Sequence, residues 1–304
     1  MHEFLQQFIN GLSLGGIYAL IALGYTMVYG IIELINFAHG DVYTLGTFFS
    51  LAILGMLGVS GTLHGTPLVV DVTIAVVGSM ILCGLVGVII ERLAYRRLRN
   101  APRLAPLITA IGVSFILQNV MQVWRGPSPV SFPQVIPNPT WMIGGVEIQG
   151  KQLMVIGVAI LTMIALQLFI YNTKLGKAMR ATAQDRDAAQ LMGININTTI
   201  ALTFLIGSAL AGVAGFVSGV YYQSTWFFNG FDAGLKAFTA AVLGGIGNLA
   251  GAMLGGFCIG MVSSLMNLVP NGNQWSNVVV FSVLVIVLIF RPSGILGETL
   301  PEKV

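Results

Sequence analysis

Three short stretches of this sequence place polar side chains or glycines where they could act on a solute or on a partner protein. The first is Ile35-Asn36-Phe37-Ala38-His39-Gly40-Asp41, in which Asn36, His39 and Asp41 interrupt an apolar run. Such groups can line a pathway or form a gate. Equally, Asn or Asp can start the next helix by accepting from its free N–H groups. The second stretch carries Phe238 and Thr239 into Gly244-Gly245-Ile246-Gly247-Asn248. The third is Asp185-Arg186-Asp187-Ala188-Ala189-Gln190-Leu191-Met192-Gly193, which reads as a short helix with Asp185 at its start and Gly193 as its stop. Ala188, Leu191 and Met192 give that helix an apolar face in an otherwise polar loop. A face of this kind fits a groove on a soluble partner or lies in the lipid interface.

No catalytic constellation is visible in the sequence. Gly176-Lys177 lacks the upstream Gly and the following Ser or Thr of a phosphate-binding loop. His2, His39 and His64 are too scattered for zinc, and His2-Glu3 has no second His. Cys83 and Cys258 sit inside apolar stretches and read as small packing residues, with a disulfide or metal site as the alternative. Acids within the apolar runs are few, which gives a proton relay little support. Nothing here harvests energy unaided, so a transporter built this way needs a partner or a downhill gradient.

The elements that position these stretches must lie in lipid. Only 8% of the 304 residues are charged and 56% are apolar, where a soluble domain carries about 25% charge. Mean hydropathy is +0.87. Each span needs roughly 20 apolar residues, so the chain holds about eight. Apolar runs lie at 4–32, 42–59, 68–90, 104–124, 152–171, 198–222, 237–269 and 278–290. No Lys or Arg precedes the first run, which reads as a retained span rather than a cleaved signal. Pro127, Pro129, Pro133, Pro137 and Pro139 mark the connection 125–151 as a loop packed on the outer surface.

Charge sets the orientation. Arg92, Arg96, Arg97, Arg99 and Arg103, with Lys174, Lys177, Arg180 and Arg186, make nine of the fourteen basic residues. An Arg or Lys at a span centre costs about 2.5–3.5 kcal/mol, so neither cluster is expected to be buried. Both loops belong in the cytoplasm by the positive-inside rule. Two runs separate them, which keeps them on one side and puts the first residues outside; the side of the last residues stays open.

Two runs are too long for one crossing. That at 237–269 would be about 50 Å of helix, and the first continues past Ile32 through Glu33 to Phe37. Broken helices in corresponding places point to a translocation site, or to interfacial turns with ordinary packing. Gly247, Gly251 and Gly255, like Gly256 and Gly260, recur at the spacing of close helix packing. The fold expected is all-α: one transmembrane domain over 1–304, a bundle of about eight spans, broken or re-entrant near 30–41 and 237–250. It carries a cytoplasmic loop at 172–197.

These segments also carry a resemblance. Residues 35–41, the run Lys174-Leu175-Gly176-Lys177-Ala178-Met179-Arg180-Ala181, the helix 185–193 and the run from Lys236 to Gly247 resemble the permease subunit of branched-chain amino-acid ABC importers. The ending Arg291-Pro292-Ser293-Gly294-Ile295-Leu296-Gly297 fits as well, so the likeness spans nearly the whole chain. It implies a multi-pass subunit of the bacterial inner membrane that moves leucine, isoleucine and valine inward. The implied partners are a second, related permease, two ATP-binding cassette subunits and a periplasmic solute-binding protein. ATP and magnesium would sit on the cassette subunits, with no cofactor in this chain and no nucleic-acid partner. Asp185, Arg186, Asp187, Ala188, Ala189, Gln190, Leu191, Met192 and Gly193 match the segment that engages the ATPase. Asn36, His39, Asp41, Phe238, Thr239, Gly244, Gly245, Gly247 and Asn248 remain the pathway candidates. Relatives that import urea, amides or other amino acids are the alternative, and a stand-alone channel or secondary transporter is a further one. The many aliphatic and aromatic surfaces and few fixed charges suit a small neutral or zwitterionic solute.

Overall fold

A computed structural model describes residues 2–32, 34–99, 101–102, 104–291 and 293–297. Glu33, Arg103 of the first basic cluster, Pro292 of the terminal run and Lys303 lie outside the described residues.

Helix α1 (His2–Ile32) is the axis of the bundle, and almost all of it beyond Leu14 is buried. A helix apolar on every side belongs inside a protein rather than at its surface. After Ile32 the chain turns back inward, so that α2 (His39–Met56) starts deep in the protein. Its His39 imidazole lies against Gly24 of α1, eight residues, about 12 Å, from the end of that helix. Helix α3 (Gly65–Ile90) continues through a wide turn at Glu91–Tyr95 and a tight one at Arg96–Leu98. Helix α4 (Leu104–Arg125) leads into β1 (Val130–Ser131) and the antiparallel hairpin of β2 (Thr140–Ile143) and β3 (Val146–Gln149). Then come α5 (Gly150–Asn172), α6 (Lys174–Gln184), α7 (Arg186–Leu191) and α8 (Ile196–Tyr222). A strand β4 (Ser224–Thr225) pairs with β1 before α9 (Asn229–Gly244), α10 (Leu249–Leu265) and α11 (Gly272–Phe290) close the chain.

Among the described residues seven helices are long and apolar enough to cross a membrane: α1, α3, α4, α5, α8, α10 and α11. The protein is a multi-pass membrane protein. Helices α3, α4, α5 and α11 form its rim and expose Ile81, Ile89, Ile108, Leu161 and Ile289, residues suited to lipid. The shorter α2 and α9 pack against each other inside, where Gly40 meets the backbone of Gly230 and Gly234. The run 237–269 is two antiparallel helices, α9 and α10, joined at Gly245–Asn248. Gly245 and Gly247 adopt φ of +107° and +95° there, a region costly for any residue with a Cβ. Asn248 caps α10 by accepting from the Gly251 N–H at 3.0 Å. On its other side α10 meets α1 through glycines: Gly256 lies on Ala19, and Gly260 on the backbone of Gly15 and Gly11.

Both ends of the bundle can be assigned. Arg99 donates to Asn197 at 2.7 Å and Arg186 to the Ile32 carbonyl at 2.8 Å, so the two basic loops share one end. The tail reaches the same end, where the N–H groups of Ile295 and Leu296 donate to the Leu243 and Gly244 carbonyls at 2.8 and 3.0 Å. Counting α2 and α9 there are nine passes among the described residues, an odd number that agrees. At the opposite end Gln6 donates to the Glu147 carbonyl of the hairpin at 2.9 Å. Single cysteines near Arg97, near Arg180 and at position 293 should therefore all resist a membrane-impermeant label from outside, while one in 129–139 reacts. Labelling of any of the first three from outside would contradict this topology.

Candidate functional site

The first group of candidates surrounds the start of α2. Asn36 and His39 are almost fully buried. Tyr95, at the extension of α3, donates to Asn36 Oδ1 at 3.2 Å and to the Ile35 carbonyl at 3.1 Å. The His39 ring meets the edge of Tyr25 with centroids 4.8 Å apart. The Ile21 carbonyl is near enough to interact with that ring, yet neither ring nitrogen reaches hydrogen-bond geometry. Phe238 of α9 approaches Tyr25 at 6.2 Å and Phe37 at 5.7 Å. Asn36, His39 and Phe238 thus come together around Tyr25, Tyr95 and Phe37. The close backbone contact of Gly40 with Gly230 leaves no room for a solute between α2 and α9 at that point.

The other candidates sit elsewhere. Asp41 turns toward α4, where its carboxylate accepts from Ser114 Oγ at 2.5 Å and Gln118 Nε2 at 3.1 Å. A buried carboxylate needs such donors, and this pair fastens α4 to α2. Thr239 spends its hydroxyl on the Leu235 carbonyl at 2.9 Å within α9. Gly244, Gly245, Gly247 and Asn248 form the turn beneath the C-terminal tail, with Asn248 donating to the Leu296 carbonyl at 2.9 Å. Tyr25, Tyr95, Ser114 and Gln118 were not among the candidates. Ser114 and Gln118 did carry a signal, since a polar pair at i, i+4 in an apolar run marks an inward face.

The second group of candidates lies at the end that carries the basic loops. Helix α6 starts where Thr173 Oγ1 accepts from the Gly176 N–H at 3.0 Å. Asp185 then caps α7, accepting from the Asp187 and Ala188 N–H groups, each at 3.0 Å. Gly193 ends it with φ of +84°. Ala189 is buried, while Ala188 and Gln190 are exposed. Leu191 and Met192 are 89% and 84% exposed. Such exposure of two large apolar side chains beyond the spans leaves an apolar face without a partner in the isolated chain. The Arg186 bond to Ile32 links α7 directly to the end of α1, from which the chain departs toward His39.

The arginines after α3 differ from the fully solvated loop expected. Glu91 is completely buried and paired with Arg96 at 3.1 Å and with Arg99, whose side chain is only 14% exposed. An acid in the same helix neutralises part of the cluster, and its pairs offset the desolvation of the charges. Among the described residues no group of three or more His, Cys, Asp or Glu could hold a metal.

Comparison with known proteins adds the following. Residues 7–288 match the family model described as branched-chain amino acid transport system / permease component. The chain is similar to the high-affinity branched-chain amino acid transport system permease protein BraD of Pseudomonas aeruginosa, at 46% identity over 100% of this chain and 99% of that protein. It is 45% identical to LivH of Escherichia coli, a permease protein of the same description, over 99% and 98% of the two chains. A probable branched-chain amino acid transport permease protein of Methanocaldococcus jannaschii is 28% identical over 91% and 88%.

Proposed function

We infer the role of this chain from one premise: it belongs to the permease components of branched-chain amino acid transport systems. It is then the membrane-spanning subunit of an ATP-driven importer that moves leucine, isoleucine and valine into the cytoplasm across a bacterial inner membrane. A periplasmic binding protein delivers the solute to the end formed by the first residues of α1 and the β2–β3 hairpin. A second, related permease completes the pathway. Two cassette subunits hydrolyse ATP with their own magnesium, since this chain carries no nucleotide-binding loop.

The observation that supports this most is the exposed Leu191–Met192 face on a capped helix at the basic end. Force generated outside the membrane must enter through a contact of this kind. From α7 it passes by Arg186 to the end of α1 and on to the turn that carries Asn36 and His39. The buried polar groups at the start of α2 are the part of the barrier that must move to admit a solute.

Specificity tests the solute. In proteoliposomes containing the whole transporter, excess unlabelled isoleucine or valine should suppress uptake of labelled leucine, and lysine or ribose should not. Preferential transport of lysine or ribose would overturn the assignment.

A further inference from the structure

Two cavities at the inner end adjoin each other, and their walls differ in kind. The first, of about 600 Å³, is lined by Arg96, Arg99, Arg186, Gln190 and Asn197, among others. The second, of about 440 Å³, lies between α3 and α8 with Val88, Ala201, Leu202 and Leu205 on its walls and Arg92 at its edge. They share Arg96, Asn195 and Asn197, so a single molecule could occupy both.

The first cavity has unmet demand for an anion. Arg99 gives one amino group to Asn197 and another to Glu91, while its Nε–H is buried without an acceptor. Burial lowers its pKa, against the pull of Glu91 and with the help of Arg96 and Arg186. Glu91 and Asp187 are too few to balance Arg92, Arg96, Arg99 and Arg186. The N-terminus of α8, beginning at Ile196, adds backbone donors beside them. A soluble anion would satisfy this cavity and leave the second unused. On α3 and its extension, next to Val88 and Arg92 in the chain, Leu85, Ile89 and Leu93 are exposed apolar residues.

We propose that the two cavities together bind one anionic phospholipid, its phosphate headgroup among Arg92, Arg96, Arg99 and Arg186 and an acyl chain along Val88, Leu202 and Leu205. Basic pockets between transmembrane helices at the cytoplasmic face have this chemistry. The site is compatible with docking on α7. Arg186, Asp187, Gln190 and Gly193 line the cavity, while Leu191 and Met192 stay outside it. The lipid would brace the base of α7 against α3 and α8.

The full chain, extracted with its partner subunits and exposed to equal phosphatidylglycerol and phosphatidylethanolamine, tests this by native mass spectrometry. Phosphatidylglycerol should be retained in preference. Arg92→Gln, at an exposed residue, should lower its retention about fivefold. Leu202→Trp, which fills the groove, should lower it without touching the arginines, and millimolar inorganic phosphate should fail to displace it. Equal retention of the two lipids, unchanged retention in both variants, or displacement by inorganic phosphate would each overturn the lipid assignment.

Discussion

A Leu191→Glu variant is expected to insert and fold in the membrane yet lose its ATPase. Leu191 touches almost nothing in the isolated subunit, with 89% of its surface exposed, so the substitution costs the permease itself little. In the proposed complex the same position would meet a partner groove, and an unpaired charge buried there costs on the order of a few kcal/mol. Each 1.4 kcal/mol is tenfold in affinity, so attachment falls by about a hundredfold. Gly193→Val should act in the same direction through the backbone. A Cβ there has open space, but φ of +84° is a left-handed conformation that costs a β-branched residue about 1–2 kcal/mol. Pull-down of the cassette subunit and ATP hydrolysis both report the loss. A correctly inserted Leu191→Glu protein that holds its ATPase and transports normally would refute the role given to α7.

The opposite result, failure of the fold itself, is expected for Gly260→Val. A Cβ at this position would overlap the backbone of Gly15 and the Gly11 carbonyl, and no rotamer relieves a clash at Cβ. Helices α1 and α10 would have to separate, and α1 is the helix around which the bundle is packed. Overpacking costs typically 1–3 kcal/mol, and a contact between backbones lies at the upper end, about 3 kcal/mol. Gly112→Val on α4 is the control, because its Cβ would meet nothing within 4 Å. Monodispersity and thermal stability in detergent should collapse for Gly260→Val and hold for Gly112→Val. Equal stability of the two would show that the glycine seam does not determine packing.

Much of this architecture was legible before the fold was known, for reasons that differ by element. Scarcity of charge exposes lipid as the solvent, and the two basic loops fix a common side. Asp185 and Gly193 bracket α7 by local chemistry alone, since capping involves residues two or three apart. Where the reading fell short, the cause is a distant or compensating partner. Helix α9 begins at Asn229, ahead of the apolar run, because Asp232 and Lys236 pair at 2.8 Å one turn apart and reduce the cost of their charges. Arg99 is drawn in by Glu91, eight residues earlier. Asp41 serves as an anchor for α4 through Ser114 and Gln118, more than seventy residues away. No local pattern announces that pairing, so a polar residue in an apolar run looked equally like a gate or a cap. The glycines at 244–247 marked a break correctly, yet the break is a tight turn against the tail.

The most direct measurement compares leucine accumulation in proteoliposomes that contain this chain alone with accumulation in those that contain the complete set of permease, cassette and binding-protein subunits. Accumulation against a gradient should require ATP, the cassette subunits and the binding protein together, and the chain alone should move nothing. Leucine flux through the isolated chain, or concentrative uptake without ATP, would contradict an ATP-driven permease and favour a channel or secondary transporter.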